Sequence, residues 1–410
     1  MTAARLPEDA LRHLQAREEW LWINSDRRDP PEDLPELSAS VAEARDRMAR
    51  AEGLVRDLFD LPDGPTPPIH SPLLPVDGFD PAVTSGRWFV KADHALPGAG
   101  SIKARGGFHE VIAHAERLAI AAGSIAPGAD LRALATPDAR ALFADHSIVV
   151  GSTGNLGMSI GLCGAALSFR TMIHMSTDAK EWKKQRLRDH GVEVVEHAGD
   201  YGEAVAKGRA LAAADPKAHF VDDEHSVDLF CGYASAAQEL SDQLRAAGIV
   251  VDADHPLIVH LPCGVGGAPG GIAYGLKRIF GADVECYFAE PVESPSMLVQ
   301  LLAGVGAEIS VYDIGLSNRT DLDGLACAAA SPLVAPLMRQ RLAGIYTVTD
   351  AHAHALLRQL HDAYGIMVEP SAATALAGPS LVGRRDATQI SWTTGGSLVP
   401  EAEFRAYLSR

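Results

Sequence analysis

Three short glycine-bearing segments hold side chains and amides able to do chemistry together. The first is Gly100-Ser101-Ile102-Lys103-Ala104-Arg105-Gly106-Gly107. Taken alone, a lysine flanked by glycines and a serine is a surface loop residue. Here it ends an extended stretch and opens a helical pattern, where a turn can hold the amine inward. Burial penalises the charged form of an amine, so a partly desolvated Lys103 loses basicity. A neutral amine can form an imine with an aldehyde, which is nucleophilic catalysis by lysine.

The second segment is Gly151-Ser152-Thr153-Gly154-Asn155-Leu156-Gly157, directly after the apolar run Ser147–Val150. Strand, small polar loop and helix together aim backbone N–H groups and a helix N-terminus at an anion. Ser152, Thr153 and Gly154 suit a carboxylate, and the Asn155 amide can hydrogen-bond a ring hydroxyl. A plain helix cap is the other reading of these residues. The third segment, Cys263-Gly264-Val265-Gly266-Gly267-Ala268-Pro269-Gly270-Gly271, follows the run Leu257–Leu261. Five glycines in nine residues are costly in unfolded-state entropy, and close approach of backbone amides to a phosphate is the usual compensation. The spacing is not GxGxxG, and no acidic residue suitably placed for a ribose follows, which argues against a dinucleotide. GK[ST] is missing as well, so a monophosphate fits better than a nucleoside triphosphate. A fourth, weaker segment is Trp392-Thr393-Thr394-Gly395-Gly396-Ser397, at the end of a short β run.

The elements that must position these segments alternate. Trp88–Val90, Ser147–Val150, Thr171–Met175, Val192–Glu196, Leu257–Leu261, Val284–Ala289 and Gln389–Trp392 read as strands. Helical stretches at 104–122, 155–168, 179–190, 201–214, 230–247 and 270–280 lie between most of them. Such alternation predicts a mainly parallel α/β sheet with helices on both faces. The first ~70 residues read as helices and turns without a sheet. A helix is expected over 38–60, capped by Ser38 or Ser40, and Pro65–Pro75 reads as a proline-rich connector.

Bulk properties narrow the classes. A chain of 410 residues suits two cooperating lobes, or one large lobe with an insert. A net charge of −17 disfavours a nucleic-acid partner. The densest basic run, Lys180–Arg188, reads as a solvated surface helix. Five cysteines without a CxxC pair give neither a disulfide framework nor a zinc site. His352 and His354 sit two apart on a helix and should point away from each other. Cys263 reads as packing, since no base adjoins it. With no apolar run of ~18 residues and no signal-peptide pattern, neither a membrane span nor secretion is expected, and the reducing cytoplasm is the natural compartment.

Taken together and in order, GSIKARGG, GSTGNLG, CGVGG-x-PGG and TGG resemble the bacterial D-serine dehydratase (D-serine ammonia-lyase) family. That family belongs to the fold-type-II, tryptophan-synthase-β-like enzymes dependent on pyridoxal 5′-phosphate (PLP). Trp20-Leu21-Trp22-Ile23-Asn24, Phe220-Val221-Asp222-Asp223-Glu224 and Phe288-Ala289-Glu290-Pro291 extend the resemblance over most of the chain. It implies that Lys103 forms the internal aldimine, that Asn155 bonds the cofactor's ring hydroxyl and that Gly264, Val265, Gly266 and Gly267 cradle its phosphate. Thr394 resembles the hydroxyl facing the pyridine nitrogen, while Ser152 and Thr153 resemble the substrate-carboxylate loop. Ala268 and Ser397 depart from the family, which commonly has glycine at both positions.

The implied reaction is α,β-elimination of D-serine to pyruvate and ammonia. Asp223 is expected to contact the substrate and help set its handedness; a helix-capping acid is its other reading. Glu290 is expected either to hold a monovalent cation such as potassium or to be a surface carboxylate. The implied architecture is two lobes, each a mainly parallel twisted sheet flanked by helices, with a helical N-terminal extension. Residues 1–103 would form that extension and the start of the large PLP domain, 104–228 the smaller domain carrying the asparagine loop, and 229–410 the rest of the large domain. A monomer or a homodimer acting on a small amino acid is expected. Rival readings are an L-serine or L-threonine dehydratase, a diaminopropionate lyase, a racemase, and a PLP-fold protein that binds ligand without turnover.

Overall fold

The computed structural model describes residues 6–80, 86–152, 154–198, 201–384 and 387–410, with the side chains of 201–204 left aside. The chain divides into two compact units. One comprises Met1–Pro35, Ser71–Ala95 and Tyr233–Arg410; the other comprises Glu36–His70 and Leu96–Gly232. Each unit is built on its own sheet.

In the first unit, seven strands lie side by side: β1 (Leu21–Ile23), β2 (Leu73–Pro75), β3 (Arg87–Lys91), β8 (Leu257–Pro262), β9 (Val284–Pro291), β10 (Gly344–Val348) and β11 (Thr388–Trp392). Their order is β1-β10-β9-β8-β11-β3-β2. The five inner strands are parallel, while β1 and β2 run antiparallel at the two edges. Every residue of β8, β10 and β11 is buried, as expected for parallel strands covered on both faces. The second unit holds β4 (Ser147–Gly151), β5 (Arg170–Ser176), β6 (Glu193–His197) and β7 (Ala218–Val221), all parallel, in the order β6-β5-β4-β7. The α/β class with mainly parallel sheets is as the alternation implied.

Several local expectations are corrected. The N-terminal region does contribute to a sheet, because Leu21–Ile23 pairs with β10 in the register Leu21↔Tyr346. The proline-rich connector ends in β2. The helix placed at 38–60 is two helices, Pro35–Arg50 and Glu52–Leu58, broken at Ala51. Ser38 and Ser40 lie inside the first of them, where the Ser40 hydroxyl donates back to the Glu36 carbonyl instead of capping an end. The stretch 230–247 is likewise split, into Val227–Ala234 and Ala236–Ala246. The basic run is a helix, Glu181–Asp189, yet Lys183 and Lys184 are buried. Lys184 lays its stem inward and places its ammonium 2.6 Å from Glu196.

His352 and His354 point apart as expected: the first meets Glu19, the second the Tyr407 carbonyl and Asp321. All five cysteines are free. Among the described residues no helix is long and apolar enough to cross a membrane.

Candidate active site

Strand ends place the candidate residues. In the second unit β4 and β7 are parallel neighbours with Val150 opposite Val221. The loop holding Ser152, Gly154 and Asn155 and the loop holding Asp223 therefore leave the sheet side by side, at carboxyl ends. Open α/β sheets bind ligands at that edge.

Lys103 is the first residue of the helix Lys103–Ala121. Its first turn is fixed by close packing against glycines and a serine hydroxyl. The Ser159 hydroxyl donates to the Lys103 carbonyl at 2.8 Å, and a methyl group at Gly107 would overlap that hydroxyl. On another face, a methyl group at Gly232 would come within 2.8 Å of the Arg105 carbonyl and 2.9 Å of the Gly106 Cα. The backbone beneath the amine thus has little room to shift. Lys103 Nζ lies 3.5 Å from Asp223 Oδ2, with the two side chains 21% and 11% exposed.

Asp223 does not cap a helix. The helix Val227–Ala234 is capped by Ser226, whose hydroxyl accepts from the Leu229 amide at 3.0 Å. Asp223 Oδ1 is shielded from water and has no hydrogen-bond partner among the described residues. A buried carboxylate oxygen left so is costly unless something supplies a donor. Ser101 Oγ, two residues before the lysine, is buried without a partner in the same way.

The asparagine loop has the anticipated build. Asn155 begins the helix Asn155–Ala166. The Ser152 hydroxyl accepts from the amides of Gly154 (3.3 Å) and Gly157 (3.0 Å), so it organises the turn as well as lining it. Thr153 lies outside the described residues.

In the first unit β9, β8 and β11 are adjacent, and their carboxyl ends carry Glu290, the glycine loop and Thr394. The loop leads into the helix Gly267–Phe280, whose first amides have no partner within the helix. Gly266 has φ +113°, and a side chain there would meet Met297 Cε at 2.6 Å. The Val265 carbonyl accepts from the Ser331 amide and the Gly264 carbonyl from the Ser296 hydroxyl, so carbonyls face the protein. Ala268 is buried in the first helical turn, and Pro269 after it brings no N–H. Thr393 is buried and bonded to the Lys91 carbonyl and to His94; Thr394 beside it is partly exposed.

Glu290 is fully buried, which rules out the surface reading. Its oxygens accept from the amides of Met297 (2.8 Å) and Leu298 (3.0 Å), at the start of the helix Ser296–Ala303. Burial still raises its pKa to about 8, the two amides only partly offsetting the loss of water.

Ser159, which pins the lysine turn, was not singled out in the sequence. Its signal would have been a serine on an otherwise small and apolar helix, Asn-Leu-Gly-Met-Ser-Ile-Gly.

Residues 64–391 match the family of pyridoxal-phosphate dependent enzymes. A probable D-serine dehydratase of Burkholderia lata is 53% identical over all of this chain and 96% of its own length. One from Burkholderia thailandensis is 52% identical over 99% of this chain and 95% of its own. This chain belongs to the D-serine dehydratase family of pyridoxal-phosphate dependent enzymes. Members of that family are ammonia-lyases, and PLP is the cofactor. Among solved structures, diaminopropionate ammonia lyase from Escherichia coli in complex with D-serine shares the fold. It covers 95% of this dehydratase-family chain, which covers 97% of it, at a TM-score of 0.74 and 18% identity.

Proposed function

We propose that the chain removes water and then ammonia from D-serine, releasing pyruvate. The observation that carries this reading is the Lys103 amine, fixed at a helix start and faced by a carboxylate with one free buried oxygen. The full-length likeness to curated D-serine dehydratases supports the choice of substrate.

The residues present fit PLP. The glycine loop offers a cradle that a side chain at Gly266 would disturb, and the start of the helix Gly267–Phe280 follows it. Gly264, Val265, Gly266 and Gly267 would hold the phosphate, Asn155 the ring hydroxyl and Lys103 the aldehyde carbon. When bound, the cofactor supplies an electron sink for the substrate's α-carbon. Thr394, a hydroxyl and not a carboxylate, would leave the ring nitrogen neutral and that sink modest. A modest sink favours loss of the β-hydroxyl over racemisation.

The Lys103 amine would accept the α-proton of the substrate and hold it at Nζ. Ser152, Gly154 and the helix N-terminus at Asn155 hold the substrate carboxylate. Asp223, through its free Oδ1, accepts a hydrogen bond from the substrate and selects one enantiomer. The proton held by Lys103 would be returned to the departing β-hydroxyl, which leaves as water, and addition of water to the remaining three-carbon unit releases ammonia and pyruvate. Pyruvate release from each serine enantiomer tests the reading: turnover of D-serine with little or none of L-serine is expected, and the reverse preference would overturn it.

Glu290 is proposed to take part in a monovalent cation site. A carboxyl buried without a cationic partner among the described residues, its pKa raised to about 8, gains from a nearby positive charge. Activity is expected to be several-fold higher in potassium than in tetramethylammonium buffer. Equal rates in the two would remove the cation.

A further inference from the structure

We infer that Glu110 is a positioning residue that sets Asp223 at its distance from Lys103. The inference rests on the reading that Asp223 meets the substrate. Lys103 and Glu110 belong to one helix, Lys103–Ala121, and stand seven residues apart, so both project from the same side about 10 Å from each other along its axis. Glu110 is 3% exposed. A buried acid on a helix whose neighbours are Phe108, Val111 and Ile112 needs specific partners.

It has two, one on each side of Asp223 in the chain. Glu110 Oε1 is 2.8 Å from His219 Nε2, on β7 four residues before Asp223. Glu110 Oε2 accepts from the Ser226 hydroxyl, three residues after Asp223. One carboxylate therefore clamps both ends of the segment 219–226 to the helix that begins with the lysine.

Three further contacts stiffen the clamp. The Ser226 hydroxyl also takes the Leu229 amide, and the Ser226 amide donates to the Asp222 carbonyl at 2.9 Å. The His219 ring stacks on His114 with centroids 4.1 Å apart, and His114 is carried by the same helix as Glu110. Burial depresses the His114 pKa to about 3, so that ring adds a neutral surface and no charge. The Lys103–Asp223 separation is in this way measured along a rigid helix, independently of the flanking loop. Nothing in the arrangement asks Glu110 to touch substrate or cofactor.

The test is a double-mutant cycle in the holoenzyme with D-serine. Glu110→Gln keeps the shape but cannot accept from both partners. Asp223→Asn alone is expected to lower kcat/KM by ~10- to 100-fold, and Glu110→Gln by about 10-fold, chiefly in kcat. If Glu110 acts through Asp223, the two effects do not multiply: the double variant falls no further than Asp223→Asn alone. Ser226→Ala reproduces the loss in milder form, and Ser226→Thr, which restores the hydroxyl, returns it. Melting temperatures show that each variant is folded. Independent, multiplying losses overturn the inference, as does Ser226→Ala with the wild-type rate. Wild-type kinetics in Asp223→Asn would instead strike the underlying role of Asp223, and a wild-type protein inactive on D-serine would strike the proposed function itself.

Discussion

Lys103→Ala is expected to abolish pyruvate release, lowering kcat by about 10³-fold or more, and to remove the yellow colour of the purified protein. The loss should be this large because two tasks are proposed for one amine, covalent attachment of the cofactor and transfer of the α-proton. The fold should survive, because the side chain is 21% exposed and the helix turn is held by the Lys103 carbonyl, which alanine keeps. A melting temperature near that of the wild type, beside lost absorbance and lost activity, is the expected pattern. Retention of more than a few per cent of activity would mean that the chemistry runs through another group.

Gly266→Ala should have the next largest effect. At φ +113° a side chain is strained, by ~1–2 kcal/mol, and Met297 must also yield its place. Both changes fall on the loop whose amides are proposed to hold the phosphate. The PLP dissociation constant is expected to rise by ~10- to 100-fold, read from absorbance after gel filtration. Gly304→Ala is the matched control. Gly304 has φ +100° with nothing within 4 Å, so it carries comparable backbone strain in the same unit away from the loop. It should lower stability and leave cofactor retention unchanged. Equal cofactor loss in both variants would mean that general strain, and not the phosphate cradle, explains Gly266.

Much of the sheet architecture was legible in the sequence, for a definite reason. Strands such as Ser147–Val150 and Leu257–Leu261 are buried on both faces, so each is mostly apolar and is followed by small residues and a helical period. The missed strands break that rule. Leu21–Ile23 and Leu73–Pro75 are three-residue edges, and Leu21, like Leu73, is only partly buried, so neither shows a run. Ala218–Val221 has a single fully buried residue. Gly344–Val348 is buried throughout, but Gly344 and Thr347 leave only Ile345-Tyr346 as adjacent apolar residues, too short a run to mark a strand. The joining of Glu36–His70 to Leu96–Gly232 depends on contacts between distant parts of the chain, which periodicity does not encode.

The candidate residues were legible where backbone need dictates residue type. Glycines at 264, 266 and 267, and a lysine opening a helix, are choices with few structural motives. Residues acting through a partner were harder to find. The closeness of Asp223 to Lys103 arises because one loop leaves β7 where a separate helix begins, and no spacing within the chain records it. Glu110 could have been noticed as an acid on a buried helical face, but its two partners come from more than 100 residues away. Glu290 was seen, but its burial was not, since the amides it accepts belong to a helix that starts after a turn.

The proposed chemistry depends on a covalent link between the Lys103 amine and the PLP aldehyde. Borohydride reduction of the purified holoenzyme, followed by peptide mass analysis, tests it most directly. The expected result is a single peptide containing residue 103 that carries the reduced phosphopyridoxyl group. A label on any other lysine, or none at all in a protein that still releases pyruvate from D-serine, would contradict it.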